Sequence, residues 1–244
     1  MLPLLCVVAV FAAVLSAVAG VGGGTILIAA LYAAGLSPLV ALALHAIVQA
    51  VSNGTRAWAY RHDVDWRNGG LCAACAAPWP FLVAPWLVNL DANLLRLALG
   101  GFVLANLLPK PGRVHGLSLP WRMVIGGCLK GIIGPVVGAS GLVLAPFFFA
   151  PQWRKEEVVG TLALVQVIGH LVKLAAYSTA GIAVLGHWDW ALALSLAVVM
   201  GTFAGRRLMS QLSQARFERV FRLVLALLGV QLLLRGVWGL LSLN

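Results

Sequence analysis

The stretch LPLLCVVAVFAAVLSAVAGVGGGTILIAALY, from Leu2 to Tyr32, carries no charge and is interrupted by Gly20, Gly22, Gly23 and Gly24. A second stretch, MVIGGCLKGIIGPVVGASGLVLAPFFF from Met123 to Phe149, is interrupted by Gly138-Ala139-Ser140-Gly141 and holds one charge, Lys130. Each is longer than the roughly 20 apolar residues that cross a bilayer once. Each is therefore either one long span or a hairpin of two helical arms broken at its glycines. Basic residues separate the two readings, because Lys and Arg collect in cytoplasmic loops. With plain spans, the basic segments Arg56 to Arg67 and Arg206 to Arg222 fall on opposite sides and the charge bias vanishes. With hairpins, the loops holding Arg61, Arg67, Lys110, Arg113, Arg154, Lys155, Arg206, Arg207, Arg216 and Arg219 share one side, and only Arg96 and, marginally, Arg235 fall opposite. The hairpin reading puts the loop near Ser37 outside and its counterpart near Lys155 inside. It yields two repeats of inverted topology with both termini outside, a plan that recurs among transporters.

Composition agrees with a membrane bundle. The chain is 61% hydrophobic and only 10% charged, which leaves too little polar surface for a soluble domain. Apolar runs recur at 2–18, 39–52, 69–90, 97–108, 158–185, 191–204 and 223–241, and in lipid the helix is the usual way to satisfy every backbone polar group. The formal net charge of +10 comes from the short connecting segments, so it fits an anionic membrane leaflet rather than a nucleic-acid partner. Cys6, Cys72, Cys75 and Cys128 sit in apolar runs and read as small buried hydrophobes. The first apolar run lacks the Lys or Arg of a signal-peptide n-region, so it is expected to stay as a helix.

The chain also repeats itself. Adding 117 to a position carries Gly24 to Gly141, Ala46 to Ala163, Val48 to Val165, Gln49 to Gln166 and Tyr60 to Tyr177. The same shift carries Asn53 to His170 and Arg56 to Lys173, so a polar residue and then a base follow the repeated glutamine at equal distances. With a slightly larger shift, Asp65-Trp66 matches Asp189-Trp190 and Leu95-Arg96-Leu97 matches Phe221-Arg222-Leu223. We expect a first repeat over 1–108, a cytoplasmic linker over 109–120 and a second repeat over 121–244.

Candidate site residues follow from polar groups placed in hydrocarbon. Gly22, Gly23, Gly24 and Thr25, and Ser140 with Gly141, lie at the breaks, where non-helical backbone at membrane depth is tolerated if it is buried or lines a cavity. Helix N-termini there can aim N–H groups at an anion; the rival reading is close helix packing. Gln49, Asn53 and Arg56 stand at i, i+4 and i+7, Gln166, His170 and Lys173 repeat the arrangement, and His45 extends the first stripe. These stripes either line a path or act as interhelical glue, with Arg56 at a gate or interface. Lys173 and Lys130 are each alone in their apolar surroundings and are candidate counter-charges for an anion, and His170 is a candidate proton carrier. Acidic residues sit only at segment ends, which disfavours a cation carrier. No nucleophile stands with a base at helical spacing and no His-rich metal motif occurs, so no enzymatic activity, metal or cofactor is expected.

The early Ala19-Gly20-Val21-Gly22-Gly23-Gly24 run, the second helix holding Gln49 to Asn53, and the copy around Gly138-Ala139-Ser140-Gly141 resemble the sulfite exporter TauE/SafE family along essentially the whole chain. The resemblance implies a duplicated bacterial membrane transporter, usually an exporter, for sulfite, sulfoacetate, sulfonates or related sulfur compounds. The second copy departs from a glycine-rich form, with Pro135, Ala139 and Ser140 in it.

The expectation is an all-α integral membrane carrier of the inner membrane. Each repeat is a Gly-broken helical hairpin followed by three transmembrane helices, with both termini periplasmic. A small anion such as sulfite or a sulfonate binds near the midplane, with proton coupling and homo-oligomerisation open. A membrane scaffold without transport, and a permease for another solute or a metal ion, are the alternatives.

Overall fold

The computed structural model describes residues 1–19, 22–108, 116–148, 153–208 and 214–242, with side chains at all of these except 18, 19, 155, 206, 208 and 214–221. Gly20 and Val21 of the first break and Lys110 and Arg113 of the expected linker lie outside the described residues. So do the side chains of Lys155, Arg206, Arg216 and Arg219.

All regular structure among the described residues is helical: α1 Leu2–Ala19, α2 Gly23–Ala33, α3 Pro38–Ala59, α4 Trp66–Ala76, α5 Trp79–Leu87, α6 Ala92–Ala105, α7 Leu119–Val137, α8 Gly141–Phe148, α9 Lys155–Thr179, α10 Trp188–Leu208 and α11 Gln214–Leu241. Among the described residues, five stretches are long and apolar enough to cross a membrane: Pro38–Ala59, Trp66–Leu87, Glu156–Thr179, Trp188–Gly205 and Arg222–Leu241.

Both long apolar segments fold as hairpins. Gly22 takes φ 103° at the start of α2, a conformation open to glycine at little cost. Gly23 then lies against Ala12 and Ser16, where a Cβ would collide with the Ala12 carbonyl. Ala12 stands about 10 Å back along α1 from its end, at 1.5 Å per residue, so α2 returns alongside α1. Gly138 does the same work in the second copy, with φ 76° at the end of α7. A Cβ on Gly134 would lie 3.4 Å from Ser140, and one on Gly126 would lie 3.1 Å from Phe147. That falling and rising register makes α7 and α8 antiparallel.

Three helical elements follow each hairpin: α3, α4 with α5, and the shorter α6 in the first half, then α9, α10 and α11. The run over 69–90, expected as one helix, is divided at Ala77 and Pro78, because Pro78 and Pro80 lack the N–H that would continue the ladder. Asp65 starts α4 by accepting from the Asn68 amide at 2.9 Å, a strong N-cap.

The halves interlock. Helix α1 packs on α10 of the other half, and α7 packs on α4 and α5; α3 meets α9 and α6 meets α11. Exchanging the halves carries each of these pairings onto itself or onto another of them. Small residues make the approach possible, as in membranes generally: Gly201 and Gly205 lie on the Val10 and Val14 backbone, and Gly127 and Gly131 on the Cys72 and Ala76 carbonyls. The outer surface carries exposed Leu4, Val7, Leu192, Leu196, Met200, Leu227, Leu234 and Trp238, large apolar side chains suited to lipid.

Candidate functional site

The two hairpin breaks meet at the centre of the bundle. A Cβ on Gly138, at the second break, would lie 3.0 Å from Ile28 of α2 and 3.1 Å from Leu42 of α3. Beside this contact a cavity is lined by Ser16, Gly22, Gly24, Thr25, His45, Gln49 and Arg56 from the first half and by Ala139, Gly141, Gln166 and His170 from the second. Its empty space is about 270 Å³, taking in the part open to solvent. The first turns of α2 and α8 both reach it, and a helix N-terminus carries partial positive charge.

Each half contributes a glycine and a glutamine that touch. A Cβ on Gly24 would lie 3.1 Å from Gln49 Oε1, and one on Gly141 would lie 2.8 Å from Gln166 Nε2. Gln49 and Gln166 reach the cavity because α3 and α9 pack face to face behind the breaks. Their rings complete the contact: His45 and His170 meet edge to face, with centroids 5.6 Å apart. His45 Nε2 lies 2.9 Å from the Gly24 carbonyl, which only accepts, so Nε2 carries the proton. The Nδ1 atoms of His45 and His170 are buried without a partner among the described residues.

The stripe on α3 is wired together. Asn53 donates to the Gln49 carbonyl at 2.8 Å and to Gln49 Oε1 at 3.3 Å. Arg56 donates to Asn53 Oδ1 at 2.5 Å and to the Ser16 carbonyl at 3.3 Å. Ser16 Oγ in turn accepts from the Gly23 amide at 3.1 Å. On α9, Lys173 donates to the Gly138 carbonyl at 2.6 Å and to the Gly134 carbonyl at 3.5 Å. Arg56 and Lys173 therefore hold matching places, each at the C-terminal carbonyls of the first arm of its own half's hairpin, where a cation suits the helix dipole.

Gly22, Gly24, Thr25, His45, Gln49, Arg56, Gly141, Gln166 and His170 thus come together around one cavity. Gly23 packs against α1, Ser140 is buried at the second break, and Asn53 stands behind Gln49. Lys173 lies at the end of α7, and the Lys130 amine lies against the Gly169 backbone. Arg56, Arg122, Lys130 and Lys173 are buried, whereas no Asp or Glu is buried among the described residues.

The model of the family described as Sulfite exporter TauE/SafE matches residues 5–232. The chain belongs to the sulfite exporter TauE/SafE family. It is accordingly a membrane transporter of sulfur-containing anions in the general sense of that family, whose members are transporters rather than enzymes. No curated protein and no solved structure matches the chain.

Two lining residues of this TauE/SafE chain escape sequence reasoning. Ser16 is the sole hydroxyl in α1, a signal that could have marked it. Ala139 stands in the Gly138-Ala139-Ser140-Gly141 break, and its position there is the signal, for its methyl group carries no polar atom to mark it.

Proposed function

We propose that this protein is a secondary transporter that exports small sulfur-containing anions such as sulfite, sulfoacetate or sulfonates, by alternating access around the central cavity. The observation that carries this reading is the imbalance of buried charge. Arg56, Arg122, Lys130 and Lys173 are buried, and among the described residues no Asp or Glu is buried with them. Positive charge inside a membrane protein is expensive, and an anion in the cavity would offset it. The glycine amides at the starts of α2 and α8, the Thr25 hydroxyl, the two glutamine carboxamides and the Arg56 guanidinium are donors of the kind that replace the hydration of an oxyanion. Asn53 and Lys173 hold the lining in place, and Lys130 adds positive potential behind His170.

In this account the two halves are inverted-topology repeats over 1–108 and 121–244, joined through 109–120, in a bacterial inner membrane with both termini periplasmic. The symmetric exchange of helix pairings supports it, and transport is the rocking of one half against the other. An inside-negative potential favours anion exit by about 2.3 kcal/mol per charge per 100 mV. Protonation of His45 Nδ1 turns a lone pair into a donor, and His170, whose Nδ1 also has no partner among the described residues, is a second proton acceptor in this account, so a proton can enter the site with the anion.

Flux of labelled sulfite into proteoliposomes, competed by unlabelled sulfonates and by divalent cations, tests the substrate class. Competition by sulfonates alone supports the anion reading. Competition by cations alone would transfer the site to a metal-ion permease, and no flux under either a proton gradient or a potential would favour a scaffold.

A further inference from the structure

Arg56 belongs to the wall of two cavities. The first is the central one. The second lies among α1, α3 and α10, is lined by Ala17, Thr55, Ala59, Tyr60 and Thr202 among others, and holds about 350 Å³ of empty space, taking in the part open to solvent. Among the described residues, Arg56 is the one lining residue the two cavities share. Of its lining residues, Ala17 lies two residues before the end of α1 and Tyr60 caps the end of α3 next to Arg61. Thr202, on its far wall, precedes Arg206 and Arg207 by about one helical turn. The second cavity therefore lies between Arg56 and the basic end of the bundle.

We propose that the anion travels between the central cavity and the basic end of the bundle through this second cavity, and that Arg56 passes it from one to the other. The inference rests on the transport reading above and adds a route to it. A guanidinium suits the step because it is planar, permanently charged and presents a fork of donors that matches an oxyanion. Here its position is fixed from both sides, by the Ser16 carbonyl of α1 and by Asn53 Oδ1 of α3. Asn53 also bonds Gln49, so the group that anchors Arg56 is tied to a wall of the central cavity. Occupation of that cavity can thus be felt at the boundary through one side chain. Two threonine hydroxyls stand in an otherwise largely apolar wall: that of Thr55 donates to the Val51 carbonyl and that of Thr202 to the Val198 carbonyl, which leaves each oxygen its lone pairs but no free hydrogen. Phe203 completes the lining at the outer edge and is half exposed, so the competing possibility is a dimple that opens on lipid.

The test places a thiol in the second cavity and plugs it after folding. Thr55→Cys is reconstituted into proteoliposomes and treated with a charged, water-soluble methanethiosulfonate from the basic-loop side. The treated wild type controls for the native Cys6, Cys72, Cys75 and Cys128, none of which lines either cavity. Treatment should cut sulfite flux at least tenfold relative to the untreated variant, while sulfite binding to the same modified protein in detergent persists. Unchanged flux after full modification would overturn the route, as would a thiol that the aqueous reagent fails to reach. If Thr55→Cys does not insert, Ala59→Cys answers the same question. Absence of sulfite flux and binding in the wild type is a different failure: it sinks the transport reading, and the route with it.

Discussion

The side-chain nitrogen of Gln166 stands 2.8 Å from the point that a Cβ on Gly141 would occupy. Real Cβ atoms do not come that close to a neighbour, so Gln166 keeps its place at the cavity only because position 141 has no side chain. Gln49 and Gly24 stand in the same relation with slightly more room, 3.1 Å. Gly141→Ala should therefore push Gln166 out of the cavity and lower sulfite flux by at least tenfold, with Gly24→Ala lowering it less. Flux assays on both variants, at matched insertion, check the order; a Gly24→Ala variant more damaged than Gly141→Ala would contradict it.

Lys173 closes the end of α7 through the Gly138 and Gly134 carbonyls. Lys173→Met removes the donor and leaves buried carbonyls without it, at a cost of about 1–3 kcal/mol. Thermal unfolding in detergent should show a lower midpoint without added anion, together with loss of flux. A variant that loses flux at an unchanged midpoint would make Lys173 a ligand rather than a structural cap.

Helix α1 is held to α10 by backbone contact at two glycines one turn apart. A Cβ on Gly205 would lie 2.8 Å from the Val14 backbone, which cannot swing aside as a side chain can. Gly205→Ala is expected to destabilise the protein by about 1–3 kcal/mol, as overpacking does. The neighbouring surface change Phe203→Leu, at a position half exposed to lipid, is the comparison that should leave the unfolding midpoint nearly unmoved.

Asp65 lies outside the spans and titrates. Partial burial alone would raise its carboxyl, but bonds from the Asn68 amide and side chain, Trp153 and the Arg67 amide outweigh this and hold it below the ordinary carboxylate value. A carboxylate lowered by folding stabilises the folded state above its unfolded value, about 3.9, and that contribution is lost as pH falls through the folded value. Asp65→Ala should therefore cost about 1 kcal/mol at neutral pH, as loss of an N-cap does. The difference from wild type should shrink below about pH 4, as unfolding midpoints across pH would show.

Much of this arrangement was legible in the residues themselves. A charge-free segment too long for one span, with glycines in the middle, implies a return, and Gly22 and Gly138 do turn the chain. The spacing of Gln49, Asn53 and Arg56 put them on one helix face, where they bond one another. What stayed hidden were the partners across the sequence. That Gly205 meets Val14, or that Lys130 lies on Gly169, depends on helix contacts which small residues permit without specifying. The capping of α7 by Lys173 was also hidden, since a lone buried lysine reads the same whether it faces a substrate or a carbonyl. Pro78 and Pro80 were visible, yet a run of apolar residues on both sides masked the break they impose.

The central claim is that the glutamine pair from the two halves forms one anion site. Uptake of radiolabelled sulfite into proteoliposomes, with wild type against a Gln49→Ala, Gln166→Ala double variant inserted to the same level, measures this directly. The account predicts saturable flux in the wild type and its loss in the double variant with an unchanged unfolding midpoint. Equal flux in both, or wild-type protein that carries neither sulfite nor sulfonates, would contradict it.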